Sequence, residues 1–109
     1  MRMRFGLDLT IFGELADPAL LVDLALAAEA AGWDGFFLWD HLLTPQADEV
    51  TDPWVVLAAV AARTERIRLG TLLSPLSRMR PWKIAGEAAT LDNLSGGRVI
   101  LSVGLGAVD

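Results

Sequence analysis

Four short apolar runs recur along this chain, centred near residues 7, 37, 70 and 101. The spacing is roughly thirty residues, the length of one strand plus one crossover helix. The runs span residues 4–9, 35–39, 67–73 and 99–103, and the stretches between them carry helix signals. Asp17-Pro18 and Asp52-Pro53 each put a capping carboxylate ahead of a proline, which loses nothing in a first helical turn. The first of these helices, with Leu20, Leu24, Ala27 and Ala31 along one face, should end at Gly32. The second, residues 54 to about 64, is apolar nearly all round and should pack against a sheet and neighbouring helices. Pro81 opens a third, running to about residue 94, which Ser95-Gly96-Gly97 ends.

Strands that alternate with helices imply parallel pairing and right-handed crossovers. Two α/β architectures satisfy this: an open doubly wound sheet, or the first half of a (β/α)8 barrel. A whole barrel takes about 250 residues, so these 109 would supply four of its eight strands. Two parallel edges would then lie bare, which sheets of this kind seldom allow. The sequence also stops at Val108-Asp109, directly after the fourth strand, with no helix to cover it. We therefore expect one unit, residues 1–109, without internal boundary, reading as a truncated half-barrel.

Composition narrows the chemistry. The chain is 53% hydrophobic, with mean hydropathy +0.43, too apolar for disorder. Net charge is −5 and Lys83 is the single lysine, a poor basis for tracking phosphates, so nucleic acid is not an expected partner. Without cysteine there is no thiolate chemistry or disulfide. With one histidine, no metal site is expected. Residues 1–4 are basic, but Asp8 and Glu14 follow, so no signal peptide is read there. No uninterrupted apolar run of ~18 residues offers a membrane span, and the expected location is the cytoplasm.

In either architecture the loops after the strands share one rim, where ligands bind. Thr10, Asp40, His41, Thr71, Leu72, Leu73, Gly104 and Gly106 should converge there. The second strand ends abruptly in Trp39-Asp40-His41, and His41 is the only imidazole for acid–base work near neutral pH. The plain alternative is that Asp40 fixes a turn and His41 faces solvent. Gly104-Leu105-Gly106 could let backbone approach a ligand closely; it is no dinucleotide fingerprint, lacking the third glycine and following the fourth strand. Trp33, Trp39, Trp54 and Trp82 are not spaced as a cofactor box and read as core anchors, Trp39 excepted because it adjoins Asp40. Glu29, Asp52 and Asp92 look structural. Glu29 sits near a helix C-terminus, where it wants a cation. Arg98 lies at a strand's N-terminal end, the face associated with stability.

Taken in order, several segments resemble the luciferase-like monooxygenase family. They are Phe5-Gly6-Leu7; Ala28-Glu29-Ala30-Ala31-Gly32-Trp33-Asp34 leading into Trp39-Asp40-His41; Asp52-Pro53; residues 63–71 (RTERIRLGT); Arg80-Pro81; residues 90–98 (TLDNLSGGR); and Val103-Gly104-Leu105-Gly106. The resemblance spans essentially the whole chain but only the N-terminal third or so of a typical member. It implies a (β/α)8 barrel using reduced FMN or an 8-hydroxy-5-deazaflavin of the F420 type on a small organic substrate. It also implies that His41 acts as acid or base beside the ring, with Asp40 orienting or charge-tuning it. Thr71, Leu72, Leu73, Gly104 and Gly106 would contact cofactor, with a non-prolyl cis peptide at Leu72-Leu73 behind the ring. Thr10 and Trp39 would face substrate. Some relatives place an acidic or amide side chain just after the glycine motif; Ala107 and Val108 stand there. Cofactor phosphate is usually held by loops late in such barrels. The 109-residue chain is therefore expected to be inactive alone, needing the remaining barrel half or a homodimer of half-barrels. The alternative is a non-catalytic piece or assembly module that binds no cofactor.

Overall fold

A computed structural model describes residues 2–42 and 49–106. The strands β1 (Gly6–Leu9), β2 (Gly35–Leu38) and β3 (Arg68–Thr71) form one parallel sheet in that order. Helix α1 (Pro18–Ala30) joins the first two strands and α2 (Pro53–Arg63) the next. The parallel register pairs Leu7 with Phe36 and Phe36 in turn with Leu69, and likewise Leu9 with Leu38 and Leu38 with Thr71. Phe36, Leu38, Leu69 and Thr71 are fully buried in this register, on the helix-covered face. Asp8, Phe37 and Gly70 alternate onto the opposite face.

Both Asp-Pro signals work as the sequence implies. Asp17 accepts from the Ala19 and Leu20 amides, and Asp52 from the Val55 amide at 2.9 Å. Gly32 takes φ +91° just past α1. The buried face of α1 differs from the expected one: Leu21, Val22, Ala25 and Ala28 are inside, while Leu20 is exposed. The helix is apolar on most sides, so periodicity alone cannot rank two adjoining stripes. Packing of α2 between α1 and α3 (Pro81–Ser95) leaves Val55 exposed despite its all-round apolar sequence. Trp54 is a core anchor, but Trp82 is 70% exposed with the Arg80 guanidinium over its ring, correcting its assignment to the core.

The expected third and fourth strands are interrupted. β3 stops at Thr71 and pairing resumes in a two-residue strand, β4 (Ser74–Pro75), against β5 (Val103–Gly104). Leu69 bridges Val99, and Ser74 pairs with Val103. Five residue steps on one side thus oppose four on the other, the signature of a bulge. The Leu72-Leu73 peptide in this bulge is cis, as the resemblance implies.

Glu29 finds its partner in backbone. Its carboxylate accepts from the amides of Glu65, Arg66 and Ile67, tying the end of α1 to the start of β3. Desolvation pushes its carboxyl up, but these three bonds and the Arg66 charge outweigh it and hold the group below the usual glutamate range. A depressed carboxylate stabilises the fold above its unfolded pKa, and that stabilisation fades as pH falls through the folded value. The melting-temperature gap between wild type and Glu29→Gln is therefore expected to be widest near neutrality and to close in acid below the ordinary glutamate range. A gap independent of pH would contradict it.

Candidate functional site

The carboxyl ends of β1, β2 and β3 form one rim, and the side chains after β2 dominate it. Trp39 N–H donates to Leu9 O and Leu72 N–H to Leu38 O, so the three strand ends are stitched together by backbone. Beyond them, the rings of Phe12, Trp39 and His41 form a cluster. His41 lies edge-on to Phe12 with centroids 5.5 Å apart and tilted to Trp39 at 5.8 Å. His41 is half-buried and Trp39 is 38% exposed, so both keep a surface free for a ligand. Leu72 is also exposed. Thr10 Oγ1 is buried with no hydrogen-bond partner among the described residues, an open polar valence at the rim.

Asp40 narrows one expectation. Its carboxylate bonds to partners other than His41: Oδ2 accepts from Trp54 Nε1 at 3.2 Å and Oδ1 from Arg78 Nη2 at 2.9 Å. Any effect on His41 is therefore by charge or backbone placement, not by a hydrogen bond that orients the imidazole. Burial pushes the Asp40 carboxyl up; Trp54 and Arg78 draw it back, while Asp52 adds to the rise. Thr71 is a second correction. Its side chain is fully buried on the helix face and bonds to Ser74 Oγ, so it cannot offer its hydroxyl to a cofactor. The glycines after the last strand have a reason within the fold. A Cβ on Gly104 would lie 2.8 Å from the Leu73 side chain, and one on Gly106 2.7 Å from Pro75 Cβ. Their bareness serves the packing of β5 against the bulge. Ala107 and Val108 lie outside the described residues.

Two charged residues of this region escaped sequence reasoning. Asp8 stands on the open sheet face, and burial raises its carboxyl while a hydrogen bond from the Trp39 side chain opposes the rise. An acid between Leu7 and Leu9 in an otherwise apolar strand was its signal. Arg78 had none, because its contact with Asp40 spans 38 residues. The shallow apolar grooves flanking α2 lie on the outer helical surface and hold none of these groups. Among the described residues no cluster of metal-ligating side chains occurs, and no helix is long and apolar enough to cross a membrane.

Parallel βα units with an imidazole and a bulged turn at the carboxyl rim define an α/β protein of the kind that binds ligands at its strand ends. The sequence profile of the luciferase-like monooxygenases matches residues 3–108, and the chain belongs to that family. It is 42% identical over 109 residues to the F420-dependent glucose-6-phosphate dehydrogenase of Nakamurella multipartita, covering 95% of this chain and 31% of that protein. Among solved structures it resembles the coenzyme F420-dependent tetrahydromethanopterin reductase of Methanopyrus kandleri, with TM-score 0.83, 28% identity, and coverage of 98% of this chain and 28% of that one. The FMN-bound oxygenating constituent of 3,6-diketocamphane monooxygenase from Pseudomonas putida shares the fold at TM-score 0.85 and 22% identity, over 98% of this chain and 30% of that one. The chain thus spans under a third of the length of the relatives it matches.

Proposed function

We propose that residues 1–109 form the N-terminal half of a (β/α)8 barrel in an oxidoreductase that binds a flavin-type ring at the rim around His41. The observation that carries this reading is the pairing, on adjacent strand ends, of the His41–Trp39 cluster with the bulged turn at Leu72-Leu73. Exposed apolar residues Ile100, Leu101, Val103 and Leu105 support a sheet edge that further strands cover. The curated relative named above favours an F420-type deazaflavin over FMN, and makes glucose 6-phosphate the first small substrate to try.

The rim residues fit such a ring. Leu72 and Leu73 offer an apolar backing, and Trp39 and Phe12 a wall. When bound, the cofactor supplies the hydride-transferring centre. His41 would take the proton from a substrate hydroxyl as its hydride leaves to the oxidised cofactor, or return a proton to a carbonyl when the reduced cofactor gives hydride. Its half-buried ring, packed against Phe12 and Trp39, is limited in the directions from which it can do so.

His41→Ala, in the protein at its natural length, is expected to lower kcat by roughly 100- to 10,000-fold, with cofactor affinity changed far less. Steady-state kinetics with cofactor titration checks this. Full activity in the variant would remove His41 from the chemistry.

A further inference from the structure

Arg78 ends the 3-10 turn Leu76–Arg78, a short step after the Leu72-Leu73 bulge. From there its Nη2 donates to Asp40 Oδ1 at 2.9 Å and also to the Asp40 main-chain oxygen at 3.3 Å. That carbonyl belongs to the planar peptide joining Asp40 to His41. A guanidinium fixed on it sets the direction from which the His41 side chain leaves the backbone. Trp54, from α2, holds the other carboxylate oxygen. The Leu72 N–H to Leu38 carbonyl bond joins the same two strand ends from the sheet side.

Stability alone is a poor reason for this ion pair. Asp40 is buried while the Arg78 side chain is about a third exposed, and burial disfavours the charged carboxylate. Buried ion pairs often contribute little net stability beside a neutral replacement. What the pair does supply is a fixed relation between two loops.

We propose that Arg78 is a positioning residue for His41: it clamps the Asp40-His41 peptide to the turn following Leu72-Leu73, so that the imidazole and the turn keep a constant separation. The inference rests on the reading that His41 handles a proton beside the bound ring. A misplacement near 1 Å is enough to cost such a group about 100-fold.

The test uses the protein at its natural length, with Arg78→Gln, Arg78→Lys and Asp40→Asn. Arg78→Gln is expected to lower kcat roughly 10- to 100-fold while KM moves within about threefold. Arg78→Lys should recover most of the loss, because one nitrogen makes both bonds. An independent readout is the imidazole NMR signal of His41, assigned by its disappearance in His41→Gln. It should shift and broaden in Arg78→Gln, return toward wild type in Arg78→Lys, and shift less in Asp40→Asn, which keeps the clamped carbonyl. If Arg78→Gln fails to fold, Arg78→Leu, which keeps an apolar stem without either bond, takes its place with the same expected shift of the His41 signal. An unchanged His41 signal and kcat in a folded but less stable Arg78→Gln, or a His41 signal moved as far by Asp40→Asn as by Arg78→Gln, would overturn the proposal. If the wild type turns over neither cofactor, the proposed function fails, while the His41 signal still reads the clamp.

Discussion

Gly70→Ala is expected to destabilise the protein by about 3–5 kcal/mol, near the upper end for a single substitution. A Cβ at this position would lie 2.1 Å from the Ile100 carbonyl oxygen and 3.2 Å from its carbon. The obstacle is backbone, so no rotamer change can relieve it. The 99–104 segment crosses there because Ile100 N–H donates to Leu69 O and Leu69 N–H to Arg98 O, both at the residue just before the glycine. Relief requires moving that segment off β3, breaking these bonds and disturbing the register that sets the bulge. Urea unfolding of the variant beside wild type measures the effect. A loss under about 1 kcal/mol would mean the crossing relaxes freely.

Arg98→Met is expected to cost a similar amount, about 3–5 kcal/mol, the range for breaking a buried charged network. The Arg98 side chain is buried, and its guanidinium donates to the carbonyls of Ala61, Thr64, Ile67 and Ser95 and to Thr64 Oγ1. Thr64 Oγ1 passes its own proton to Val60 O at 2.6 Å. The arginine thus gathers the ends of α2 and α3 and the start of β3 onto one planar group. Methionine fills the space but abandons four carbonyls. Lysine should not rescue, since its ammonium cannot span acceptors arranged around a fork. Equilibrium unfolding of Arg98→Met and Arg98→Lys checks both statements; a lysine variant as stable as wild type would contradict the second.

Local signals in the sequence were read correctly where the physics is local. The Asp-Pro caps, Gly32 after α1 and Gly96-Gly97 after α3 each act within a few residues of themselves. Parallel pairing followed from the βα period, while the order β1-β2-β3 is set by the sheet itself. What escaped depends on contacts between distant segments. Leu21 rather than Leu20 is buried because neighbours, not periodicity, choose between stripes on an apolar helix. The break between β3 and β4 comes from a one-residue mismatch with residues 99–103, visible only once the strands are paired. The cis Leu72-Leu73 bond was reached through the family resemblance alone. Asp40 and Thr71 were placed on the rim correctly by position, yet their side chains serve Arg78, Trp54 and Ser74. Strand position gives the location of a residue but not the partner its side chain takes.

The central claim is that the rim at His41 receives a flavin-type ring. Its most direct test is titration of the protein at its natural length with an F420-type deazaflavin and with FMN, followed by cofactor fluorescence, with Leu72→Asp alongside to place charge on the apolar backing. The account predicts saturable micromolar quenching by at least one cofactor, strongly weakened in Leu72→Asp. Absence of quenching by both cofactors in a folded protein, or equal binding in the variant, would contradict it.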